Sequence, residues 1–202
     1  MGLPLQPDLN PPPPWMKRAI ILVVLLLLVL LLGWWQQPWQ TAPRLLHSQG
    51  GTDDFVSTLE QRFDQAEERI WVMLYVLRQE NSGQGPVSRL VSALARARQR
   101  GVDVRVVLDQ SIRWGSDELD PKHLHAAAWL ESQGIPVIID SLDQRTHAKA
   151  ILIDSSWLII GSHNWTFSAL ARNLELSILI ECPRLAAALA EQFRLVPTWD
   201  DS

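Results

Sequence analysis

Residues 147–164 read HAKAILIDSSWLIIGSHN, and the order of apolar and polar residues in this stretch decides the fold. Its two apolar runs, AILI and WLII, are each long enough for a strand and rich in β-branched residues. The segment DSSW (154–157), whose last residue begins the second run, has turn chemistry. The stretch therefore predicts a β-hairpin in which the first and last residues of that segment pair.

This register predicts a polar patch on one face of the hairpin. It sets His147 opposite Asn164 and Lys149 opposite Ser162. Alternate residues of a strand share a face, so the two residues on each strand project together. All four polar side chains are therefore expected to converge.

The predicted patch has the chemistry of a phosphate site. Lys149 supplies a positive charge, Ser162 and Asn164 supply hydrogen-bond donors, and Gly161 is expected to let the backbone approach a ligand closely. Such a set suits a phosphoryl group. His147 offers a nucleophile that works near neutral pH, so attack on phosphorus would give a phosphohistidine that water hydrolyses. The patch holds no acidic cluster, and neither a metal nor another cofactor is predicted.

A second acid is needed to protonate the leaving oxygen. Strand parity points His163 away from the patch, and His123 and His125 are predicted to lie on the surface near the start of a helix. The chain has no internal repeat that would supply another copy of the motif. The simplest source is His147 of a second subunit, which predicts a homodimer with a twofold axis through the site.

The motif carries a family resemblance. The pattern HxKxxxxDxxxxxxGSxN is fitted by His147, Lys149, Asp154, Gly161, Ser162 and Asn164. It resembles the signature of the phospholipase D superfamily, whose members are phosphodiesterases. A single copy is similar to the small bacterial nuclease branch, which works as a homodimer, and to the membrane-anchored Zucchini-type nucleases. The latter carry a cysteine-containing zinc insertion that a chain with one cysteine, Cys182, lacks. Cys182 is interpreted as core packing.

The resemblance also implies roles for two acidic residues. Glu175 stands where relatives have a glutamate that hydrogen-bonds the catalytic histidine, which would orient the ring and stabilise its cationic form. Asp154 belongs to the motif too. Its position at the turn, on the opposite face from His147, makes it a structural residue that fixes the hairpin.

The rest of the chain predicts an α/β fold, with a mixed β-sheet sandwiched by helices. Strands are expected at 70–77, 102–109, 135–140 and 174–181, and helices at 56–70, 86–100, 121–133 and 183–196.

The N-terminal region predicts a membrane anchor. Residues 1–16 form a proline-rich tail, 17–36 a transmembrane helix, 37–50 a linker and 51–202 the catalytic domain. Lys17 and Arg18 precede the apolar run, so the N-terminus is expected in the cytoplasm and the catalytic domain outside it, in the periplasm if the cell is bacterial. The alternative is a cleaved signal peptide and a secreted domain.

The substrate is predicted less directly. Six arginines are candidates for tracking a phosphate backbone: Arg89, Arg96, Arg98, Arg100, Arg105 and Arg145. The alternative is that they solvate a helix face, and a net charge of −4 gives no global signal for a polyanion. Trp114 and Trp165 are candidates for stacking on bases or contacting lipid, with core packing the alternative for Trp165. A nuclease on DNA or RNA is favoured, a phospholipase D-type hydrolase of phosphatidylcholine or cardiolipin is the alternative, and an idle membrane-tethered binding module ranks last.

Overall fold

The computed structural model describes residues 13–35, 41–48, 54–78, 80, 83–110, 123–141 and 145–197. The chain divides into two compact units, Met1–Pro38 and Trp39–Ser202. Predictions that concern the proline-rich tail up to residue 12, Trp114 and the first residues of the helix expected from 121 lie outside the described residues.

The N-terminal unit contains helix α1 (Pro14–Trp35). Among the residues that the structure describes, no helix is both long and apolar enough to cross a bilayer, so the transmembrane helix predicted over 17–36 finds no support.

The C-terminal unit alternates strands and helices. Its elements are β1 (Arg44–Ser48), α2 (Asp54–Gln65), β2 (Arg69–Leu74), α3 (Pro86–Gln99), β3 (Asp103–Leu108), α4 (Leu124–Ser132), β4 (Val137–Ile139), β5 (Lys149–Ile153), β6 (Trp157–Gly161), α5 (Phe167–Ala171), β7 (Glu175–Glu181) and α6 (Pro183–Arg194). In this part of the chain seven strands form one sheet, in the order β1-β7-β6-β5-β2-β3-β4. β2, β3 and β4 run parallel, and the other neighbours pair antiparallel. The predicted mixed α/β fold is confirmed.

Two apolar layers cover the two faces of the sheet. The larger is formed with α2, α3 and α4, and contains fully buried side chains such as Phe63 and Trp165. The smaller is formed with α6, whose Phe193 packs near Trp71. Cys182 is buried in this smaller layer, as predicted, and the burial of Trp165 removes it as a surface contact for bases or lipid.

The structure contains two elements that the sequence does not predict. Residues 44–48, which belong to the linker predicted over 37–50, form β1, an edge strand that pairs antiparallel with β7. A five-residue strand that buries only Leu46 and Ser48 has too few apolar residues to be recognised alone, and its partner strand supplies the missing hydrogen bonds. The short helix α5 was not predicted either, and it begins with Thr166, whose hydroxyl accepts from the amide of Ala169.

Candidate active site

The candidate site lies at one end of the sheet. β5 runs antiparallel to β2 and β6, and β7 runs antiparallel to β6, so the start of β5 and of β7 meets the end of β2 and of β6. A cleft of about 960 Å³ opens there. Its lining includes the five motif residues that the sequence assigns to the site, and it also includes Glu175. The five are His147, Lys149, Gly161, Ser162 and Asn164.

The hairpin register differs from the predicted one by one residue. Ile153 pairs with Trp157 and Ala150 with Ile160, so the turn contains only 154–156. Asp154 has a φ of 53° and turns the chain at once instead of extending β5. The predicted pairing of Lys149 with Ser162 is therefore wrong. The polar groups meet because they stand at the ends of neighbouring strands, and not because they share one hairpin face.

His147 and Lys149 are in direct contact. The Lys149 ammonium donates to the backbone carbonyl of His147 at 2.8 Å, and its Nζ lies 3.2 and 3.3 Å from the two imidazole nitrogens. Burial lowers the pKa of Lys149, while the carboxylates of Glu175 and Asp109 oppose that shift. The imidazole of His147 is exposed to the cleft, so a substrate can reach both groups.

Glu175 contacts Ser162 and Asn173 instead of the histidine. Ser162 donates its hydroxyl to Glu175, and the Asn173 amide donates to the other carboxylate oxygen at 3.0 Å. Within the described part of this single chain, no hydrogen bond joins Glu175 to His147. The bond that the resemblance implies is thus not made here. Asn164 is held by the amide of Val76, which donates to its side-chain oxygen at 3.2 Å.

Gly161 has a packing role that the sequence did not suggest. A Cβ at this position would lie 2.0 Å from the hydroxyl of Ser177 and 2.4 Å from the carbonyl oxygen of Leu176. Glycine is required because β6 and β7 approach closely here, with Gly161 paired to Ser177. Close strand packing accounts for the glycine, and the approach of a ligand to its backbone, which lines the cleft, stays a prediction.

Asp154 lies at the hairpin turn, at the other end of β5 from Lys149. Its carboxylate accepts backbone hydrogen bonds from Glu67, Glu68 and Arg69, at 3.1, 2.8 and 3.2 Å. It thereby ties the turn to the chain that enters β2. These contacts are what a structural role requires.

The three other predicted histidines divide between core and surface. His163 is buried, stacks on Phe55 at 3.9 Å, and hydrogen-bonds Ser48 and Ser177, in agreement with its predicted exclusion from the patch. Burial lowers its pKa to about 4. His125 is exposed, as predicted. The surface prediction for His123 is wrong, because the ring is buried and its Nδ1 accepts from the amide of Leu77 at 3.2 Å.

Tyr75 is a cleft residue that the sequence analysis missed. It directly follows β2 and its ring centroid lies 4.5 Å from that of His147. The apolar run predicts a strand over 70–77 with Tyr75 in its interior, whereas β2 ends at Leu74. A signal was available, since it is the single tyrosine of the chain and closes a buried run.

Most of the arginines proposed to track phosphate are engaged elsewhere. Arg89 forms a bidentate pair with Glu60, and Arg96 donates to Asp64 at 3.1 and 3.2 Å. Arg100 donates to the carbonyl of Phe63. Arg105 pairs with Asp103, and of the six only Arg145 lines the cleft. Among the described residues, no group of three or more His, Cys, Asp or Glu side chains is arranged to hold a metal ion.

Comparison with known families matches residues 59–196 to the family described as "Cardiolipin synthase, PLD-like domain". This match covers about two thirds of the chain and contains the whole motif. The chain belongs to the phospholipase D superfamily.

Individual members of the superfamily agree with this. The phospholipase D of Rickettsia prowazekii is 35% identical over 133 residues, which cover 66% of this chain and 58% of that protein. A mitochondrial cardiolipin hydrolase of Chlamydomonas reinhardtii is 33% identical over 103 residues, or 50% of this chain and 41% of that protein. The chain thus spans less than two thirds of the length of these relatives.

A solved structure of the superfamily matches the fold. Nuc from Salmonella typhimurium, a phospholipase D family member, superposes with a TM-score of 0.60 at 26% identity, covering 76% of this chain and 93% of that one. The predicted superfamily is confirmed by these matches.

Proposed function

We propose that this protein is a phosphodiesterase that works through a covalent phosphohistidine at His147. The observation that carries the proposal is the contact of His147 with Lys149 at the mouth of a cleft that Ser162 and Asn164 also line. A phosphodiester seated there meets a nucleophilic nitrogen, a positive charge and neutral donors together.

The reaction has two steps. In the first, a ring nitrogen of His147 bonds to phosphorus while the bond to the leaving oxygen breaks, and a general acid protonates that oxygen. In the second, water attacks the phosphohistidine, the bond between phosphorus and nitrogen breaks, and His147 is regenerated. Lys149 stabilises the charge on the non-bridging oxygens in both transition states.

The general acid is proposed to be His147 of a second copy of the chain. The cleft of one chain is lined by one histidine, His147, among the described residues. A homodimer whose twofold axis passes through two facing clefts would supply the second ring.

The covalent step is tested by replacing the nucleophile. His147→Asn should lower kcat by at least about 1000-fold, because an amide side chain cannot form the covalent intermediate proposed for His147. Labelled substrate mixed with wild-type protein and quenched in alkali should leave label on His147, identified by mass spectrometry. His125→Asn, at an exposed histidine outside the cleft, is the matched control and should keep full activity. Full activity of His147→Asn would contradict the proposal.

We infer that the substrate is a phospholipid. One wall of the cleft is apolar and is formed by α6 and the residues that follow it, including Leu189, Leu195 and Val196. A substrate with apolar chains next to its phosphate suits this wall. The relatives named phospholipase D and cardiolipin hydrolase support the same class. This reverses the order that the sequence favoured, because the arginines on which a nucleic-acid substrate depended are largely engaged in ion pairs.

Nucleic acid remains the second candidate, because Arg145 lines an open cleft and the fold is that of Nuc. The full-length protein should be incubated with phosphatidylcholine vesicles, cardiolipin vesicles, single-stranded DNA, duplex DNA and RNA, each with and without EDTA. Cleavage of nucleic acid alone would overturn the phospholipid proposal. Unchanged activity in EDTA is expected for the metal-free reaction.

A pair of leucines sharpens the choice of substrate. Leu195, at the apolar wall, is 74% exposed, and Leu124, outside the cleft, is 64% exposed. Leu195→Ser should raise KM for lipid several-fold, since it removes apolar contact area, while Leu124→Ser should not. An equal effect of both variants would count against lipid contact at the wall.

The location of the catalytic domain outside the cytoplasm stays a prediction. It is tested with full-length protein in its own cells, by alkaline extraction of membranes and by the accessibility of the C-terminal domain to added protease. Complete release by alkali would contradict an anchored protein.

A further inference from the structure

Tyr75 stands where β2 ends, at the same end of the sheet as the proposed nucleophile. Its side chain is half-buried and lines the cleft. β2 and β5 are antiparallel neighbours, and Leu74, the last residue of β2, pairs with Lys149, the first residue of β5. This pairing fixes the backbone of Tyr75 next to the two groups that the proposed reaction uses.

The nucleophile itself has little else to hold its ring. His147 precedes β5 in a segment without regular structure, and its side chain is exposed. Among the residues that the structure describes, the hydrogen bonds to its ring come from the ammonium of Lys149, which is itself on a flexible side chain. An exposed imidazole held only by a lysine would sample several rotamers.

The ring of Tyr75 restricts both groups. Its centroid lies 4.5 Å from that of His147 with the planes tilted by 51°, within the range of favourable aromatic pairs. The Lys149 ammonium lies 5.2 Å from the same ring, a distance at which a cation is attracted to the π face. One rigid ring therefore contacts the imidazole and the ammonium together, on a strand end that the sheet holds in place.

We propose that Tyr75 is a positioning residue that orients the imidazole of His147 towards the bound phosphorus and holds Lys149 beside it. The aromatic ring performs this role, and the hydroxyl is not required for it. The inference rests on the proposed function in so far as His147 is the nucleophile. Nothing in the superfamily motif includes this position.

The test compares variants that keep or remove the ring in the full-length protein. Tyr75→Phe keeps the ring and should retain kcat within about threefold. Tyr75→Leu keeps an apolar side chain without the ring and should lower kcat by about 10- to 100-fold with little change in KM, because misplacing a reacting group costs rate more than binding. A Tyr75→Leu variant with unchanged kcat, or a Tyr75→Phe variant as impaired as Tyr75→Leu, would overturn the proposal.

A second measurement does not depend on activity. The ring current of Tyr75 should shift the Cε1 proton of His147 in NMR spectra, assigned by its loss in His147→Asn. Tyr75→Phe should preserve this shift and Tyr75→Leu should abolish it; an unmoved resonance in Tyr75→Leu would overturn the contact. If the wild-type protein cleaves no phosphodiester, the proposed function fails, while the NMR comparison still decides whether the ring holds His147. Thermal unfolding of Tyr75→Leu close to that of the wild type separates misplacement from loss of fold.

Discussion

At the scale of single residues, the segment 162–164 that follows β6 connects the cleft to the core. Ser162 and Asn164 line the cleft. His163 lies between them in the chain, is buried against Phe55, and forms hydrogen bonds with Ser48 of β1 and Ser177 of β7. Alternation along an extended chain separates these directions. A residue with no chemical part in the reaction thus anchors the two that are proposed to bind phosphate.

The burial of His163 predicts an acid-sensitive contribution to stability. Burial disfavours the charged ring and lowers the pKa of His163 from an ordinary value of 6.5 to about 4 in the folded protein. Between these values the unfolded chain binds a proton that the folded chain excludes, so this stability is present above about pH 6.5 and is lost as the pH falls towards 4. Denaturation measured across this window should show a smaller decline in His163→Gln than in wild type. The exposed-site control, His125→Gln, should follow the wild type, and equal slopes in all three proteins would refute the argument.

A side chain larger than hydrogen at Gly161 is expected to destabilise the packing of β6 against β7. Gly161→Ala should lower the free energy of unfolding by at least about 1–3 kcal/mol, because a methyl group would overlap the backbone of β7. Chemical denaturation measures this loss. Ala148→Gly, at an exposed position of the same cleft, is the control for a small side-chain change there. An undisturbed Gly161→Ala protein would mean that the two strands can separate at no cost.

At the scale of elements, the β5–β6 turn determines where the polar groups of the site meet. The turn sets the register, and the carboxylate of Asp154 fixes the turn to the start of β2 through three backbone amides. The site lies at the opposite end of these strands. Asp154 therefore contributes to the motif by holding the hairpin turn, and it lies at the opposite end of β5 from the proposed catalytic residues.

Variants of Asp154 should separate stability from catalysis. Asp154→Ala removes a charged acceptor and places alanine at a φ of 53°, so a loss of about 2–4 kcal/mol in unfolding free energy is expected. Asp154→Asn keeps an acceptor and tolerates this φ, and should lose less. The kcat of the folded fraction should stay near that of wild type in both. A large fall in kcat for well-folded Asp154→Asn would instead assign Asp154 to the reaction.

At the scale of the whole molecule, two arginines of α3 form ion pairs with carboxylates of α2. These pairs explain why a cluster of arginines in the sequence does not form a surface that binds phosphate. Arg89 and Arg96 of α3 point to Glu60 and Asp64 of α2. These pairs are a surface feature of two packed helices, and pairs of this kind contribute little each. The arginines are close together in the sequence, but the fold places these two next to acidic side chains.

The proposed homodimer predicts how dimers of one wild-type and one mutant subunit should behave. His147→Ala subunits mixed with wild-type subunits, after exchange, should give heterodimers with almost no activity, because each shared site would contain one of its two imidazoles. The expected total activity falls with the fraction of mutant more steeply than simple dilution. Differently tagged subunits purified in tandem provide the heterodimer. Near-full or half activity of that heterodimer would rule out a shared two-histidine site.

Sequence alone identified the candidate residues of the site and determined the class of fold. The motif spacing identified His147, Lys149, Ser162 and Asn164, and the alternation of apolar runs gave the mixed sheet between helices, because both are local properties of the chain. Strand parity also correctly directed His163 away from the polar patch.

Only the tertiary structure decided how these residues meet. The register depends on the φ of Asp154 and its bonds to a distant segment, and the role of Gly161 depends on how closely β7 approaches. The contact of Tyr75 with His147, the partners of Glu175 and the ion pairs of α3 join residues far apart in the chain. Such contacts are set by how strands and helices pack in three dimensions, which no local spacing encodes.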